Sequence, residues 1–481
     1  KKKKSISLIS DFLKNKGLSR RSFMKATAAT GAAVTVGGGI LPQMKALAQA
    51  SGGSGKDQGK WLPATCQGCT SWCSKQIYVI NGRAVKVRGN PHSKVNLGAG
   101  CPRSHLALQQ VYDPDRIKTP MKRTNPKKGR NEDPKFVSIT WDEATNTIAD
   151  KIMELRNAGE THKYMLMRGR YSYMRDVLYD RMTKIIGSPN NISHSSLCAE
   201  AEKFGPYYTE GLWDYRQYDV TNSRYILLWG ADPLAANRQV SYYSKVWGDA
   251  IDRATIAIVE PRLSATAAKA DEWLPAKPGT DGALAVAIAH VLLTKGLWYK
   301  PFVGDFIDGQ NLFVKGQQVD ETLFEEKYTH GVVKWWNLEL KDKTPEWAAE
   351  ITWVPADKIR EAAKIWATSK PGVLEFGCAI EHTPNSIQTV RALSMLPALV
   401  GNVDVPGAWV FGMQGHFPFP NLVEALPEEQ LKKRLGYDDF KILCSNEGSP
   451  QPSAHMPTVF RAMRTGNPYR VRAFCIFGNN P

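Results

Sequence analysis

Four cysteines near the start of the chain have the spacing of an iron–sulfur ligand set. Cys66, Cys69 and Cys73 stand within eight residues, and Cys101 follows after 27 others. A four-iron, four-sulfur cluster takes four thiolates, so one loop would surround most of it and a later loop would complete it. A structural zinc site is an alternative, although such sites usually draw their ligands from two close pairs. Spacing alone does not exclude disulfides, whereas a c-type haem would need His where Thr70 stands.

The segment between the third and fourth cysteines is predicted to form a β-hairpin. Two β-rich runs, 77–80 and 83–87, flank Asn81 and Gly82, a pair that tolerates the positive φ angles of a type I′ turn. The cluster loop would therefore be carried on a small β-rich module, with the fourth cysteine just beyond it.

Beyond this module, strands alternate with helices, a pattern typical of doubly wound parallel sheets in an α/β fold. Two buried strands, 225–229 and 474–477, each run into a Gly-x-x-Pro turn. Nucleotides approach the backbone at the carboxyl ends of parallel strands, so the repetition favours Rossmann-like dinucleotide-binding domains, although one such turn alone is weak evidence. Further strands are predicted at 255–260 and 373–376, and helices at 141–157, 282–294 and 387–399.

The first fifty residues resemble a twin-arginine export signal. Ser19-Arg-Arg-Ser-Phe-Met-Lys25 precedes a run of small and apolar residues, and two Ala-x-Ala sites follow at 46–50. The apolar run, 26–41, is too short and too rich in Gly and Ala to span a bilayer. A basic flank before an ordinary helix is the alternative. Export of a folded protein to the periplasm suits a cofactor loaded in the cytoplasm, and it favours metal-bound thiols over disulfides.

The net charge of +17 over 481 residues is weak evidence for a nucleic-acid partner. Ten Lys or Arg and one Asp in the first fifty residues contribute +9, which leaves +8 for the rest of the chain. No basic run is interleaved with aromatic residues, so the remaining excess fits a small anionic substrate.

Taken together, the motifs resemble the molybdopterin oxidoreductases that carry two pyranopterin guanine dinucleotides. The resemblance runs from about Trp61 to the end of the chain. Two segments, 167–171 and 193–203, most resemble the large subunit of respiratory arsenate reductases. The other matching segments are the cysteine module, 139–144, 229–233, 260–262, 270–271, 277–283, 401–402, 406–407 and 478–481.

The resemblance implies one 4Fe-4S cluster, bound by the four N-terminal cysteines, and molybdenum held by two molybdopterin guanine dinucleotides. Cys198 occupies the position of the protein ligand to molybdenum, and a soft thiolate suits a metal already bound by dithiolene sulfurs. Arg103, two residues after Cys101, would connect cluster and pterin. The residues implied to contact the dinucleotides are Gly230, Asp232, Pro233, Glu260, Arg262, Gly279, Thr280, Asp281, Gly377, Gly478 and Asn479.

The implied activity is the reduction of arsenate to arsenite in anaerobic respiration, with electrons supplied by a small ferredoxin-like iron–sulfur subunit. Arg170 and Lys203 would hold the oxyanion, and Tyr171, His194 and Tyr215 would orient it or donate protons. Each of these residues has an ordinary structural explanation when taken singly. Cys378, Cys444 and Cys475 fit no ligand spacing and are interpreted as structural residues.

Several alternatives stay open at this point. A sister molybdenum enzyme would act on thiosulfate, polysulfide or tetrathionate, and the reverse reaction would oxidise arsenite. A non-catalytic iron–sulfur electron carrier belongs to a different class, but it would need neither Cys198 nor a second strand–glycine turn. A zinc-stabilised nucleic-acid module is the least favoured reading.

The predicted organisation has six segments, and the chain is expected to be part of a longer product because family members continue past its last residue. The segments are the signal peptide 1–50, a linker 51–60, the iron–sulfur module 61–120, the first part of the active-site domain 121–225, a Rossmann-like domain 226–400 and the start of a second half 401–481.

Overall fold

The computed structural model describes residues 59–69, 71–169, 173–236, 238–411 and 426–478. The predicted signal peptide, Arg170, Tyr171 and Asn479 lie outside these described residues. Contacts divide the described chain into two compact units. One consists of 59–62 and 77–86, and the other of 63–76 with the described residues from 87 onward.

The predicted hairpin is present in a three-stranded sheet. Its strands are β1 (Lys60–Thr65), β2 (Ser74–Ile80) and β3 (Arg83–Gly89), in the order β1-β2-β3. Asn81 and Gly82 have φ angles of 48° and 75°, as a type I′ turn requires. Two short helices, α1 (Pro102–His105) and α2 (Ala107–Val111), follow the fourth cysteine.

Helix α3 (Trp141–Asn157) has the predicted bounds, and its first turn explains where it begins. The Thr140 side chain accepts a hydrogen bond from the Glu143 amide at 3.1 Å, so the N-cap satisfies an amide that lacks a partner within the helix. Strands β4 (Met121–Arg123) and β5 (Phe136–Ser138) pair in antiparallel fashion just before it.

The largest sheet is parallel and has the order β11-β10-β9-β14. Every residue of its central strand β9 is at most 1% exposed, because helices cover both faces. Tyr225, Leu227 and Trp229 belong to one hydrophobic cluster, and Ile226 and Leu228 belong to the other. This alternation is the doubly wound arrangement that the sequence predicted. The strands are β9 (Tyr225–Trp229), β10 (Thr255–Val259), β11 (Glu272–Leu274) and β14 (Gly372–Phe376).

Helix α6 (Val240–Arg253) contributes to one of these clusters, and the next six helices along the chain contribute to the other. The latter are α7 (Asp281–Thr294), α8 (Lys300–Val303), α9 (Val332–Leu338), α10 (Pro345–Thr352), α11 (Ala356–Thr368) and α12 (Ser386–Val400). Two short antiparallel pairs complete this region: β12 (Gly304–Phe306) with β13 (Phe324–Glu326), and β8 (Gln217–Tyr218) with β15 (Trp409–Val410).

A second parallel sheet has the order β16-β6-β7. Its strands are β6 (Tyr164–Arg168), β7 (Asn191–Ser193) and β16 (Ala473–Phe477), so it combines residues from the predicted segments 121–225 and 401–481. The remaining helices are α4 (Tyr173–Ile186), α5 (Glu200–Glu210), α13 (Glu428–Leu431), α14 (Lys441–Cys444) and α15 (Met456–Thr465). Within the described residues, no helix has both the length and the apolar character needed to cross a membrane.

Candidate functional site

The four predicted cluster cysteines lie around a single pocket. The Cys66 amide donates to the Cys73 carbonyl at 3.0 Å, which closes the first loop. The second loop is held by the buried Lys75, whose Nζ lies 3.1 Å from the Ala99 carbonyl oxygen, and by the buried Asn96 amide, 2.7 Å from the same oxygen. The pocket is lined by Cys66, Gly68, Cys69, Ser71, Cys73, Cys101, Arg103, Ser104, Val240 and Ser241.

The electrostatic surroundings of the pocket differ from one thiol to the next. Burial raises the pKa of Cys73, although a hydrogen bond from Ser241 and the charge of Lys75 act in the opposite direction. Burial also acts to raise the pKa of Cys101, but the Ser104 amide and the Arg103 side chain outweigh it, so this pKa is lowered overall. Arg103 therefore contacts the pocket at Cys101, the cysteine that it follows by two positions in the sequence.

One wall of the pocket comes from a distant part of the chain. Val240 and Ser241 begin helix α6, and the Gln239 amide donates a hydrogen bond to the Ser71 hydroxyl. Among the described residues, no group of three His, Cys, Asp or Glu side chains is placed to hold a single metal ion. All eight cysteines are described, and no disulfide joins any two of them.

The predicted dinucleotide-contacting residues of the large sheet lie at its carboxyl edge. Gly230, Asp232 and Pro233 follow β9, Glu260 and Arg262 follow β10, and Gly377 follows β14. The Asp232 carboxylate accepts a hydrogen bond from the Thr266 hydroxyl and lies 3.7 Å from Arg262, which is 75% exposed at its side chain. This edge therefore offers an exposed guanidinium beside glycine-containing strand ends, the setting in which α/β sheets bind nucleotides.

Gly279, Thr280 and Asp281 approach the same edge from the start of helix α7. The Asp281 carboxylate accepts a hydrogen bond from the Trp229 indole at 2.8 Å, which joins the N-terminus of α7 to the end of β9. Burial raises the pKa of Asp281, although the indole and backbone N–H groups act in the opposite direction. Gly478 ends β16 in the other sheet, with a φ of 61°.

Gly377 has a packing explanation that the sequence did not reveal. A Cβ atom at this position would lie 2.4 Å from the Gly230 carbonyl oxygen, because β9 and β14 end side by side. Any larger residue would therefore displace backbone. Its predicted contact with a dinucleotide stays a prediction.

Cys198 ends a short 3-10 turn (His194–Leu197) that follows β7 and precedes helix α5. The Cys198 carbonyl oxygen lies 3.0 Å from Nε2 of His382, which belongs to the turn Cys378–His382 after β14. This contact brings the loop of the second sheet to the carboxyl edge of the first. The predicted molybdenum ligand thus stands beside the edge where the dinucleotide residues lie.

Lys203 is buried on helix α5, five residues after Cys198 in the sequence. Its side chain lies beside two aromatic rings, called the aromatic cage below: Nζ is 5.2 Å from the centroid of Tyr215 and 5.8 Å from that of Trp213. The residue is only 6% exposed, so its charge is largely removed from water. The structure thus brings Lys203 next to Tyr215, and His194 and Cys198 lie in, and directly after, one short turn that precedes the same helix.

These features coincide with the extent of a known family. The family model described as molybdopterin oxidoreductase matches residues 116–452, and the one described as molybdopterin oxidoreductase Fe4S4 domain matches 59–113. The chain belongs to the molybdopterin oxidoreductase family. A third model, the twin-arginine translocation pathway signal sequence, matches residues 17–37, which confirms the predicted export leader and the periplasmic location.

Curated relatives refine this assignment. The arsenate respiratory reductase molybdopterin-containing subunit of Shewanella sp. (strain ANA-3) is 56% identical over 74% of this chain and 42% of its own length. That of Chrysiogenes arsenatis is 50% identical over 96% of this chain and 55% of its own. A putative dimethyl sulfoxide reductase chain of Escherichia coli (strain K12) is 29% identical over 81% of this chain and 49% of its own. The chain spans about half the length of these relatives.

The fold has a counterpart among solved structures. Acetylene hydratase from Pelobacter acetylenicus aligns with a TM-score of 0.72 over 87% of this chain and 57% of that one, at 23% identity. At this identity the likeness concerns the fold alone, and it agrees with the predicted iron–sulfur module followed by doubly wound sheets.

Family membership confirms the predicted cofactors of this molybdopterin oxidoreductase chain, one 4Fe-4S cluster and molybdenum with two molybdopterin guanine dinucleotides. The residues present fit these groups: four thiols line one pocket, with Arg103 in its wall, and the strand ends of the large sheet offer backbone and the exposed guanidinium of Arg262 to a dinucleotide. Which individual residues bind them stays a prediction.

Sequence reasoning missed several residues of this region, above all Arg238. Its guanidinium lies 4.4 Å from the Tyr215 ring centroid, 2.8 Å from Glu202 and 3.6 Å from Glu381. It also donates to Cys378 Sγ at 3.4 Å, so this cysteine has a polar contact beyond its predicted structural role. The only sequence signal for Arg238 is its place shortly after the turn that ends β9.

Proposed function

We propose that this chain contributes the molybdenum and iron–sulfur sites of a periplasmic arsenate reductase, the catalytic subunit of an anaerobic respiratory enzyme. The single observation that best supports this proposal is Lys203, a buried cation caged by aromatic rings five residues after Cys198. The identity of 50–56% to arsenate respiratory reductase subunits supports the choice of oxyanion.

The charge near Lys203 suits an anionic substrate. Arsenate carries about two negative charges at neutral pH and needs fixed cations and hydrogen-bond donors when it leaves water. Burial raises the pKa of the neighbouring Glu200, although Lys203 and Arg168 act to lower it. A Glu200 carboxyl group that keeps its proton more readily opposes an incoming anion less.

Each side chain of the site has a distinct proposed task. The molybdenum centre, when bound through Cys198, would supply the oxygen-atom transfer and the two electrons. Lys203 would hold the oxyanion by charge, while Tyr215 and His194 would orient it and supply protons to the departing oxygen. Arg170 and Tyr171, outside the described residues, keep their predicted roles in the same tasks.

Electrons would enter from a small ferredoxin-like iron–sulfur subunit and reach the cysteine pocket first. Arg103 lines that pocket and contacts Cys101, so it would carry the contact onward to the pterin. The protein's part in this transfer is to hold the cofactors in position and to set the local field.

The test compares arsenate, thiosulfate and tetrathionate as electron acceptors for the complete purified protein with one reduced dye. Metal analysis of the same sample measures molybdenum, iron and zinc. We expect molybdenum with iron, and the highest kcat/KM with arsenate. Preference for a sulfur oxyanion would reject arsenate as substrate, and iron without molybdenum would favour the electron carrier instead.

A further inference from the structure

Two buried glutamates from different parts of the chain lie beside the guanidinium of Arg238. Glu202 lies on helix α5, Glu381 lies in the Cys378–His382 turn, and their side chains are only 3% and 1% exposed. Arg238 lies 2.8 Å from a Glu202 oxygen and 3.6 Å from a Glu381 oxygen. Two carboxyl groups and one guanidinium leave one negative charge in excess if both carboxyl groups are ionised.

The hydrogen-bond pattern shows how that excess is avoided. Neither oxygen of the buried Glu381 carboxyl group accepts a hydrogen bond from any described residue. An ionised carboxylate only accepts hydrogen bonds, so two carboxyl groups beside one guanidinium can bond to one another only if one of them carries a proton. A buried carboxylate without donors would also be costly, which favours the protonated form.

Glu202 and Glu381 belong to the two segments that meet at the candidate active site. Glu202 adjoins Lys203 in sequence, and Glu381 adjoins His382, the residue that contacts the Cys198 carbonyl. Helix α5 also packs closely on helix α12, since a Cβ atom at Gly205 would lie 2.4 Å from Val390 Cγ1. The carboxyl pair thus lies directly beside the residues that hold the Cys198 segment.

We propose that Glu202 and Glu381 share one proton and, with Arg238, form a clamp that fixes the Cys198–Lys203 segment against the 378–382 turn. Glu202 and Glu381 are positioning residues in this arrangement, because their side chains are only 3% and 1% exposed and act through Arg238. The proton is a structural part of the clamp: without it, two negative carboxylates would face each other across one guanidinium.

The groups around Glu381 agree on the direction of its titration. Burial and the charge of Glu202 raise the pKa of Glu381, and Cys378 acts in the same way, whereas Arg238 acts to lower it. Glu375 and Glu381 both contribute to a raised pKa of Tyr218, whose main cause is complete burial, so these groups also belong to the same surroundings. Arg238 also stacks over the ring of Tyr215.

The sign of the resulting pH dependence follows from linkage. A carboxyl group with a higher pKa in the folded protein binds its proton more tightly there than in the unfolded chain. Its contribution to stability is complete below the unfolded pKa and declines as pH rises toward the folded pKa, by about tenfold in the folding equilibrium constant per pH unit. Glu381→Gln keeps a hydrogen-bond donor but cannot titrate, so this decline should disappear.

The first experiment follows Tm of the complete, cofactor-loaded protein between about pH 7.5 and about pH 9.5. We expect the Tm of the wild type to fall more steeply than that of Glu381→Gln. Glu326→Gln is the matched control, because the Glu326 carboxylate on β13 accepts two backbone N–H bonds, at 2.7 and 2.8 Å, and has no contact with the clamp among those described; this variant should keep the wild-type slope. Equal slopes for the wild type and Glu381→Gln would overturn the proposal.

Infrared difference spectroscopy tests the proton directly and does not depend on substrate. The wild type minus Glu381→Gln spectrum at neutral pH should contain the C=O stretch of a protonated carboxylic acid, shifted in D₂O. Its absence would overturn the shared proton even if the Tm slopes differed.

The positioning step rests on the proposed function and has its own measurement. Glu381→Ala should raise the KM for arsenate about threefold to tenfold, and Glu381→Gln should return it towards the wild-type value. If Glu381→Ala keeps the wild-type KM, while the difference spectrum of the wild type contains the carboxylic-acid band, only the positioning role is overturned. Failure of the arsenate assignment would instead appear as wild-type enzyme that prefers another oxyanion.

Discussion

Lys203→Ala should weaken arsenate binding strongly while leaving the cofactors in place. Lys203 is 6% exposed and is held by Tyr215 and Trp213 at 5.2 and 5.8 Å. A charge-assisted hydrogen bond to a buried anion contributes about 1.5–3 kcal/mol. Since about 1.4 kcal/mol is tenfold in affinity, the KM for arsenate should rise roughly tenfold to a hundredfold.

The assay measures initial rates with a reduced dye over a range of arsenate concentrations, with molybdenum and iron content determined on each sample. Lys203→Met separates charge from packing, because it keeps an unbranched apolar side chain in the aromatic cage. Lys343→Ala is the matched control: it removes another lysine from a Trp ring, that of Trp347 at 4.5 Å, outside the site. It should leave KM unchanged.

Two results would refute the reasoning. An unaltered KM in Lys203→Ala, with full metal content, would show that this cation does not bind the oxyanion. A rise in KM in Lys203→Ala but not in Lys203→Met would show that the effect comes from packing rather than from charge. In either case the family assignment stands, because it depends on other residues.

Two further predictions concern the cluster and the buried acids. Cys101→Ser, purified without oxygen, should lose the broad iron–sulfur absorbance; an unchanged spectrum together with bound zinc would contradict the cluster assignment. Glu375 is fully buried beside Tyr243, and burial raises its pKa to about 7, so its contribution to stability should decline by about 3 kcal/mol as pH rises from about 4.5 to about 7. Glu375→Gln should flatten this part of the unfolding profile, and a slope equal to that of the wild type would contradict the assignment.

Local sequence patterns correctly predicted the strands, helices and turns whose own residues have a characteristic pattern. The run 225–229 is apolar throughout and became the central strand with the predicted bounds, because a strand buried on both faces has no polar side. The Asn81-Gly82 turn was predictable for a similar reason, since few other pairs tolerate two positive φ angles.

Contacts between distant segments were not predictable in the same way. The predicted strand 474–477, which lies within β16, has the same apolar run and Gly-x-x-Pro turn as 225–229. It nevertheless pairs with β6 in the other sheet, and nothing in its own residues specifies that partner. Arg238, Glu202 and Glu381 come from three separate segments, each unremarkable in sequence, and only the packing of α5 beside the 378–382 turn brings them together.

The wall of the cysteine pocket formed by Val240 and Ser241 has a consequence for how the protein matures. A ribosome releases all four cysteines long before it has made the first turn of α6, so a cluster inserted at that stage would stand open on one side. Enclosure waits until α6 folds and its preceding Gln239 amide reaches Ser71. The completed pocket is therefore a late product of folding, and export through a pathway that accepts folded chains delivers the protein with this wall already in place.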